Sequence, residues 1–190
     1  MKLIVAIGNP TKKYESTRHN AGVIVLNSLL SKVFQVIPWK SEKKFLGDVV
    51  ELNLAHVTKL KSLNIKLFNE IDKVFINGDD KVLCVFPSTY MNNSGDSVSA
   101  IVNFYKLKST DVLVIHDDLD IVLGEYKLQF AKGPKVHNGI ISIEKYLKRD
   151  FFRLRIGIEA RENKLVGIDY VLENFTNTEL QTLSSLTNEE

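Results

Sequence analysis

His19 stands between two side-chain amides, Asn9 and Asn20, in a short turn-rich stretch that runs from Gly8-Asn9-Pro10 to Thr17-Arg18-His19-Asn20-Ala21-Gly22. An imidazole titrates near neutrality and can take a proton from water. It does so reproducibly only if a partner fixes its tautomer, and Asp117 in His116-Asp117-Asp118-Leu119-Asp120 is the best carboxylate for that task. Asn9, Asn92 and Asn138 each carry a donor and an acceptor, the pattern that a peptide backbone presents in return. One of their NH₂ groups can also face a developing oxyanion. Ser16 lies near His19 but lacks the sharp strand-to-helix turn of a nucleophilic serine, so direct attack by water is the simpler chemistry. Two plainer readings stand beside this one. Asn20 and Asn138 each precede a helical pattern and suit helix caps. The His116–Asp120 run could instead bind Mg²⁺ or Mn²⁺ as in a nuclease, although further ligands are not evident and no His-x-His or Cys-x-x-Cys pattern exists.

These residues need elements that carry them to one place. Leu3 to Ile7, Val82 to Phe86 and Val112 to Ile115 are short apolar runs bounded by turn signals, as in strands buried on both faces of a sheet. Asn9, His19, Asn92 and Asp117 follow their ends, where open α/β sheets form a ligand crevice. Val23 to Phe34 reads as a helix, with Val23, Leu26, Leu30 and Val33 on one face. Val98, Ile101, Val102 and Tyr105 make a second such face, capped by Asn93 or Ser94, and Ile140 to Leu147 makes a third helix. Gly124 to Phe130 and Phe151 to Ile158 read as strands. Asn77-Gly78-Asp79-Asp80 reads as a hairpin turn joining Val74-Phe75-Ile76 to Lys81–Phe86. The expected architecture is α/β: a single domain over 1–190, with a mixed, mostly parallel twisted sheet and helices on both faces.

Six pieces in order carry a family resemblance: Gly8-Asn9-Pro10 with Tyr14; Thr17 to Gly22; Thr89-Tyr90-Met91-Asn92-Asn93-Ser94-Gly95; His116 to Asp120; His137-Asn138-Gly139; and Arg153-Leu154-Arg155-Ile156-Gly157-Ile158. The chain to about Phe175 resembles bacterial-type peptidyl-tRNA hydrolase. The resemblance implies cleavage of the ester between a peptide and the 3′ end of tRNA, with no cofactor and no metal. It implies catalytic positions at Asn9, His19, Asp117 and Asn138, and places Tyr14, Asn20, Met91, Asn92 and His137 around the substrate. Lys127, Lys132, Lys135, Arg153 and Arg155 are the expected RNA contacts. Where the family is glycine-rich, this chain has Ala131-Lys132-Gly133-Pro134-Lys135-Val136, which adds lysines and removes backbone freedom. Alternate arginines on a strand can also be internal ion pairs. The implied partner is tRNA bearing a peptidyl group, bound by a monomer without an obligatory protein partner. The competing class is a catalytically inactive RNA-binding module of the same fold, as in organelle splicing factors, which has no need of a base and its orienting acid.

Composition narrows the rest. A formal net charge of +2 over 190 residues does not suit a protein that coats nucleic acid by bulk charge, so RNA binding needs a local patch. Cys84, the single cysteine, sits in an apolar run and allows no intrachain disulfide. No stretch approaches a membrane span, and Met1–Ile7 leads into the Gly-Asn-Pro turn without a signal-peptide pattern, so a cytoplasmic location is expected. Two regions depart from the family. Residues 53–72 look like an insertion, holding Lys59, Lys61 and Lys66 among apolar residues; it either reaches RNA or simply covers the sheet. The C-terminal helical region, 176–190, is shorter than in the family.

Overall fold

The computed structural model describes residues 1–78, 81–134, 136–160 and 167–190. Seven strands form one sheet in the order β2-β3-β4-β1-β5-β7-β6: β1 (Lys2–Ala6), β2 (Lys40–Glu42), β3 (Gly47–Leu52), β4 (Val82–Pro87), β5 (Val112–Val122), β6 (Tyr126–Phe130) and β7 (Phe152–Glu159). The sheet is mixed, as expected, but parallel pairing does not predominate. The pairs β1/β4, β1/β5 and β5/β7 are parallel, while β2/β3, β3/β4 and β6/β7 are antiparallel. The apolar runs identified β1, β4 and the start of β5. They could not report the hairpin partners that close both sides of the sheet.

Alternation of side chains along the central strands builds two cores. Ile4, Ala6, Cys84, Leu113 and Ile115 face α1 (Ala21–Ser31), α2 (Leu54–Ser62), α3 (Lys66–Ile71), α6 (Gly167–Leu172) and α7 (Asn177–Ser185). Leu3, Val5, Ile7, Leu83, Val85, Val112 and Val114 face α4 (Ser94–Tyr105) and α5 (Asn138–Leu147). With both faces covered, nearly every residue of these strand cores is apolar.

Two expectations change here. Val74-Phe75-Ile76 is not a strand: Asp72–Ile76 is a π-helical turn that continues α3. Leu67, Ile71 and Phe75 recur four residues apart and are all buried, so the helical face runs on where a three-residue apolar run has no period of its own. Asn77 closes this turn in the left-handed conformation, φ 49°, and Asp79 and Asp80 of the expected hairpin turn lie outside the described residues. The antiparallel partner of β4 is β3. The second change concerns β5, which does not stop at Ile115 but continues through His116–Asp120 to Val122, paired with β7 and irregular between Asp118 and Val122. Polar residues stay in the strand because β7 still offers a ladder there.

Residues 53–72 form α2 and α3, which bury Val57, Leu60, Leu67, Phe68 and Ile71 against the sheet. Leu52 pairs with Val82 at the start of β4, whereas Asn92 follows the far end of β4. The segment therefore begins at the opposite end of the sheet from the site residues, and the covering role fits it.

Candidate active site

β1 ends at Ala6 opposite Ile115, while β5 runs on past it, and the step between them opens the crevice. Two glycines let the chain crowd this step. A Cβ at Gly22 would lie 2.5 Å from the Ile115 carbonyl oxygen, so α1 presses its first turn onto the β5 backbone. A Cβ at Gly8 would lie 2.8 Å from Asn20 Oδ1. The short 3-10 turn Arg18–Asn20 is thereby held against β5, with His19 directed at Asp117.

His19 Nδ1 donates to Asp117, 2.9 Å from Oδ1 and 3.0 Å from Oδ2. This fixes the tautomer and leaves Nε2 as the acceptor facing the crevice. Asp117 has a second donor. His137 Nε2 lies 2.9 Å from Asp117 Oδ1, while its Nδ1 accepts from the Ile140 amide at 3.3 Å. His137 thus turns Nε2 to Asp117 while its Nδ1 caps α5. Burial favours the neutral acid at Asp117, but the two histidines outweigh it and hold the carboxyl far below its usual range. Burial likewise lowers the His19 pKa, yet the charge and hydrogen bond of Asp117 raise it overall above 6.5.

Asn9 is locked from both sides. Its Oδ1 accepts from the Met91 amide at 2.9 Å, which orients the side chain and leaves Nδ2 for the crevice. Its backbone N donates to Asn20 Oδ1 at 2.8 Å, and its carbonyl accepts from Asn20 Nδ2 at 3.0 Å. Asn20 is thus consumed in holding Asn9. It is 2 % exposed and does not line the crevice, which corrects its expected place beside the substrate. Nor does it cap α1 with its side chain. Asn138 is free of the other capping role because His137 caps α5, and its exposed side chain faces the crevice.

The crevice has a volume of about 660 Å³. Tyr14, Met91, Asn92 and Asn138 line it together with His19, Asn9 and Asp117, while Leu119, Val136, Val171 and Leu172 give it an apolar wall. Tyr90, at the rim, meets Tyr14 edge-on at 6.3 Å.

One potential ligand atom each from His19, Asp117 and His137 lies within 4.8 Å of the others, so among the described residues these three are the cluster that could hold a cation. Protons already occupy the short contacts between them, and a cation would have to break both hydrogen bonds. Within the His116–Asp120 run, Asp117 alone joins that cluster among the described residues. His116 Nδ1 donates to the Asp117 carbonyl at 2.7 Å, and burial beside His137 lowers its pKa to about 3. Asp118 accepts from Arg155 at 2.7 Å and from the Asp120 amide at 2.9 Å.

The chain matches the family model described as peptidyl-tRNA hydrolase over residues 3–190. It is 38% identical over 184 residues to a peptidyl-tRNA hydrolase of Mycoplasma capricolum, covering 96% of this chain and 85% of that protein. It is 35% identical over 179 residues to one of Rickettsia bellii, covering 94% and 83%. The crystal structure of peptidyl-tRNA hydrolase from Acinetobacter baumannii superposes with a TM-score of 0.76 at 31% identity, covering 96% of this chain and 81% of that one. The chain belongs to the peptidyl-tRNA hydrolase family.

The residues expected to meet RNA are less concentrated in this family member than its crevice residues. Lys127 and Lys132 are exposed, and Lys135 lies outside the described residues. Ala131 has φ 56°, a left-handed conformation that glycine adopts more readily. Arg153 is 2 % exposed; it donates to the Gly133 carbonyl and, at 2.8 Å, to Glu144, with its guanidinium over the Phe151 ring. Arg155 donates to Asp118 at 2.7 Å and to Gln129 at 2.9 Å. Both arginines are internal ion-pair residues, which corrects their expected role at phosphates. The sequence reading also missed Arg18. The guanidinium binds Glu179 and the Asn174 carbonyl, partners more than 150 residues away that no local pattern announces.

Proposed function

We propose that this chain hydrolyses the ester joining a peptide to the 3′ end of tRNA, with His19 as general base for an attacking water. The observation that carries the reading is the His19 Nδ1–Asp117 bond of 2.9 Å, which turns an unprotonated Nε2 toward the crevice. Water gives a proton to Nε2 as its oxygen bonds to the ester carbon, and the carbonyl π pair moves onto oxygen. Asn9 Nδ2, aimed by the Met91 amide, can donate to that oxyanion; such a donor is worth about 2.7–4 kcal/mol. When the intermediate collapses, the ribose oxygen leaves with the bond pair and takes the proton back from Nε2. Asn92 and Asn138 present amides to the peptide backbone, which suits a substrate class defined by its ester rather than by side chains. The family relatives named above support the same substrate.

An RNA-binding protein without activity has no use for a buried His–Asp pair opening on a crevice. The test is release of tRNA from N-acetyl-aminoacyl-tRNA, with and without EDTA. The wild-type protein is expected to release tRNA equally well in both. His19→Ala is expected to lower the rate about 10²–10⁴-fold while remaining folded. A folded His19→Ala variant within a few-fold of wild type would remove His19 as the base.

A further inference from the structure

Arg18 precedes the proposed base and turns away from it, into the C-terminal segment. Nη2 lies 2.8 and 2.9 Å from the two carboxylate oxygens of Glu179, while Nη1 donates to the Asn174 carbonyl at 2.9 Å and lies 3.6 Å from the Glu173 carboxylate. The guanidinium stacks 4.2 Å from the Tyr170 ring centroid and 5.4 Å from that of Phe175. The Arg18 side chain is 7% exposed and that of Glu179 is 16%. The backbones are stitched here as well: the Arg18 amide donates to the Glu173 carbonyl at 3.0 Å and the Phe175 amide to the Ser16 carbonyl at 2.9 Å.

We infer that Arg18 and Glu179 form a positioning pair that sets the distance between the His19 loop and the apolar wall of the crevice. Val171 and Leu172, which line that wall, come directly before the stitched residues 173–175. Glu179 is itself fixed as the third residue of α7, where it accepts from the Thr176 amide at 2.7 Å and Thr176 Oγ1 accepts from its own amide at 3.2 Å. The pair therefore joins the His19 loop to the capped helix end that follows the wall residues. His19 does not depend on this pair for its orientation, because Asp117 holds its ring and Gly22 seats its loop. The α6 part of the wall is tied to β7 by Tyr170, whose hydroxyl donates to the Ile158 carbonyl at 2.9 Å, and to the His19 loop by the pair and the backbone bonds beside it. Loss of the pair should loosen the grip on the acyl part of the substrate and leave the chemistry of water activation intact.

The inference rests on the peptidyl-tRNA reading, and Glu179→Gln tests it. Glutamine keeps the capping box but removes the carboxylate nearest Arg18, leaving that of Glu173 at 3.6 Å. With N-acetyl-phenylalanyl-tRNA as substrate, KM is expected to rise about fivefold and kcat to stay within about twofold, the sign of lost uniform binding. The pH midpoint of kcat/KM is expected to match wild type. Leu172→Ala alone should also raise KM, and the two changes together should raise it by less than the product of the single effects. Arg18→Lys keeps the charge but not the fork, and should show the same split; it carries the test if Glu179→Gln does not fold. An unchanged KM, a fall in kcat with a shifted pH midpoint, or independent effects of Glu179→Gln and Leu172→Ala would each overturn the inference. A wild-type protein that releases no tRNA would overturn the functional reading first, and this inference with it.

Discussion

The two ends of β7's neighbourhood use charge in opposite ways. On the β5 side, Asp117 is buried, ionised and held by two histidines, one of which, His19, turns its remaining nitrogen to the crevice, so its charge is transmitted through His19. On the β6 side, Arg153 and Arg155 donate to Glu144, Gly133, Asp118 and Gln129, so their charge goes no further than the fold. Formally charged residues on adjacent strands thus do unlike work. What separates them is whether the hydrogen-bond chain ends inside the protein or at a surface that a substrate can reach.

Asp117→Asn breaks the first arrangement most severely. An amide facing both histidines can leave His19 protonated on the wrong nitrogen, and turnover should fall about 10³–10⁴-fold with KM little changed. Single-turnover kinetics with excess enzyme check this, and a loss confined to KM would show that Asp117 binds substrate instead. Arg153→Met tests the second arrangement. It leaves Glu144 without its closest cation and should cost about 3 kcal/mol of unfolding free energy in urea, with the salt dependence of tRNA binding unaltered. A weakened salt dependence in a stable variant would return Arg153 to the phosphate. Lys132→Ala has the smallest expected effect. Because Lys132 is exposed on the loop before His137, its loss should raise KM about two- to threefold and lower the slope of log KM against log salt by roughly one ion. No change in slope would make it an ordinary solvated charge.

The same contrast governs what could be read from the sequence. His19, Asp117, Asn9 and Asn138 stand beside strand ends or helix starts, and strand order alone brings such positions together. Their chemistry was legible because residue type and place in the chain agreed. Arg153 and Arg155 have the residue type of RNA ligands, but burial and partners decide their use, and those come from β6 and α5 through tertiary packing. Asn20 misled for a related reason: its amide matches a peptide, and equally well the backbone of Asn9, which is nearer. Val74-Phe75-Ile76, β-branched and aromatic, has the composition of a strand, and only the continuation of the α3 face against the sheet shows its true period. Arg18 and Glu179 lie 161 residues apart, and no sequence spacing encodes such a pair.

The central claim is that Asp117 fixes His19 as a base with its free nitrogen in the crevice. The most direct test is a ¹⁵N NMR titration of the His19 ring in the wild-type protein and in Asp117→Asn. Burial alone would lower the His19 pKa, and the Asp117 charge and hydrogen bond reverse that sign. The wild-type ring is therefore expected to titrate above 6.5 and, once neutral, to carry its proton on Nδ1; the midpoint should move to lower pH in Asp117→Asn. A wild-type ring protonated on Nε2 when neutral, or a midpoint that does not move when the carboxylate is removed, would contradict the account.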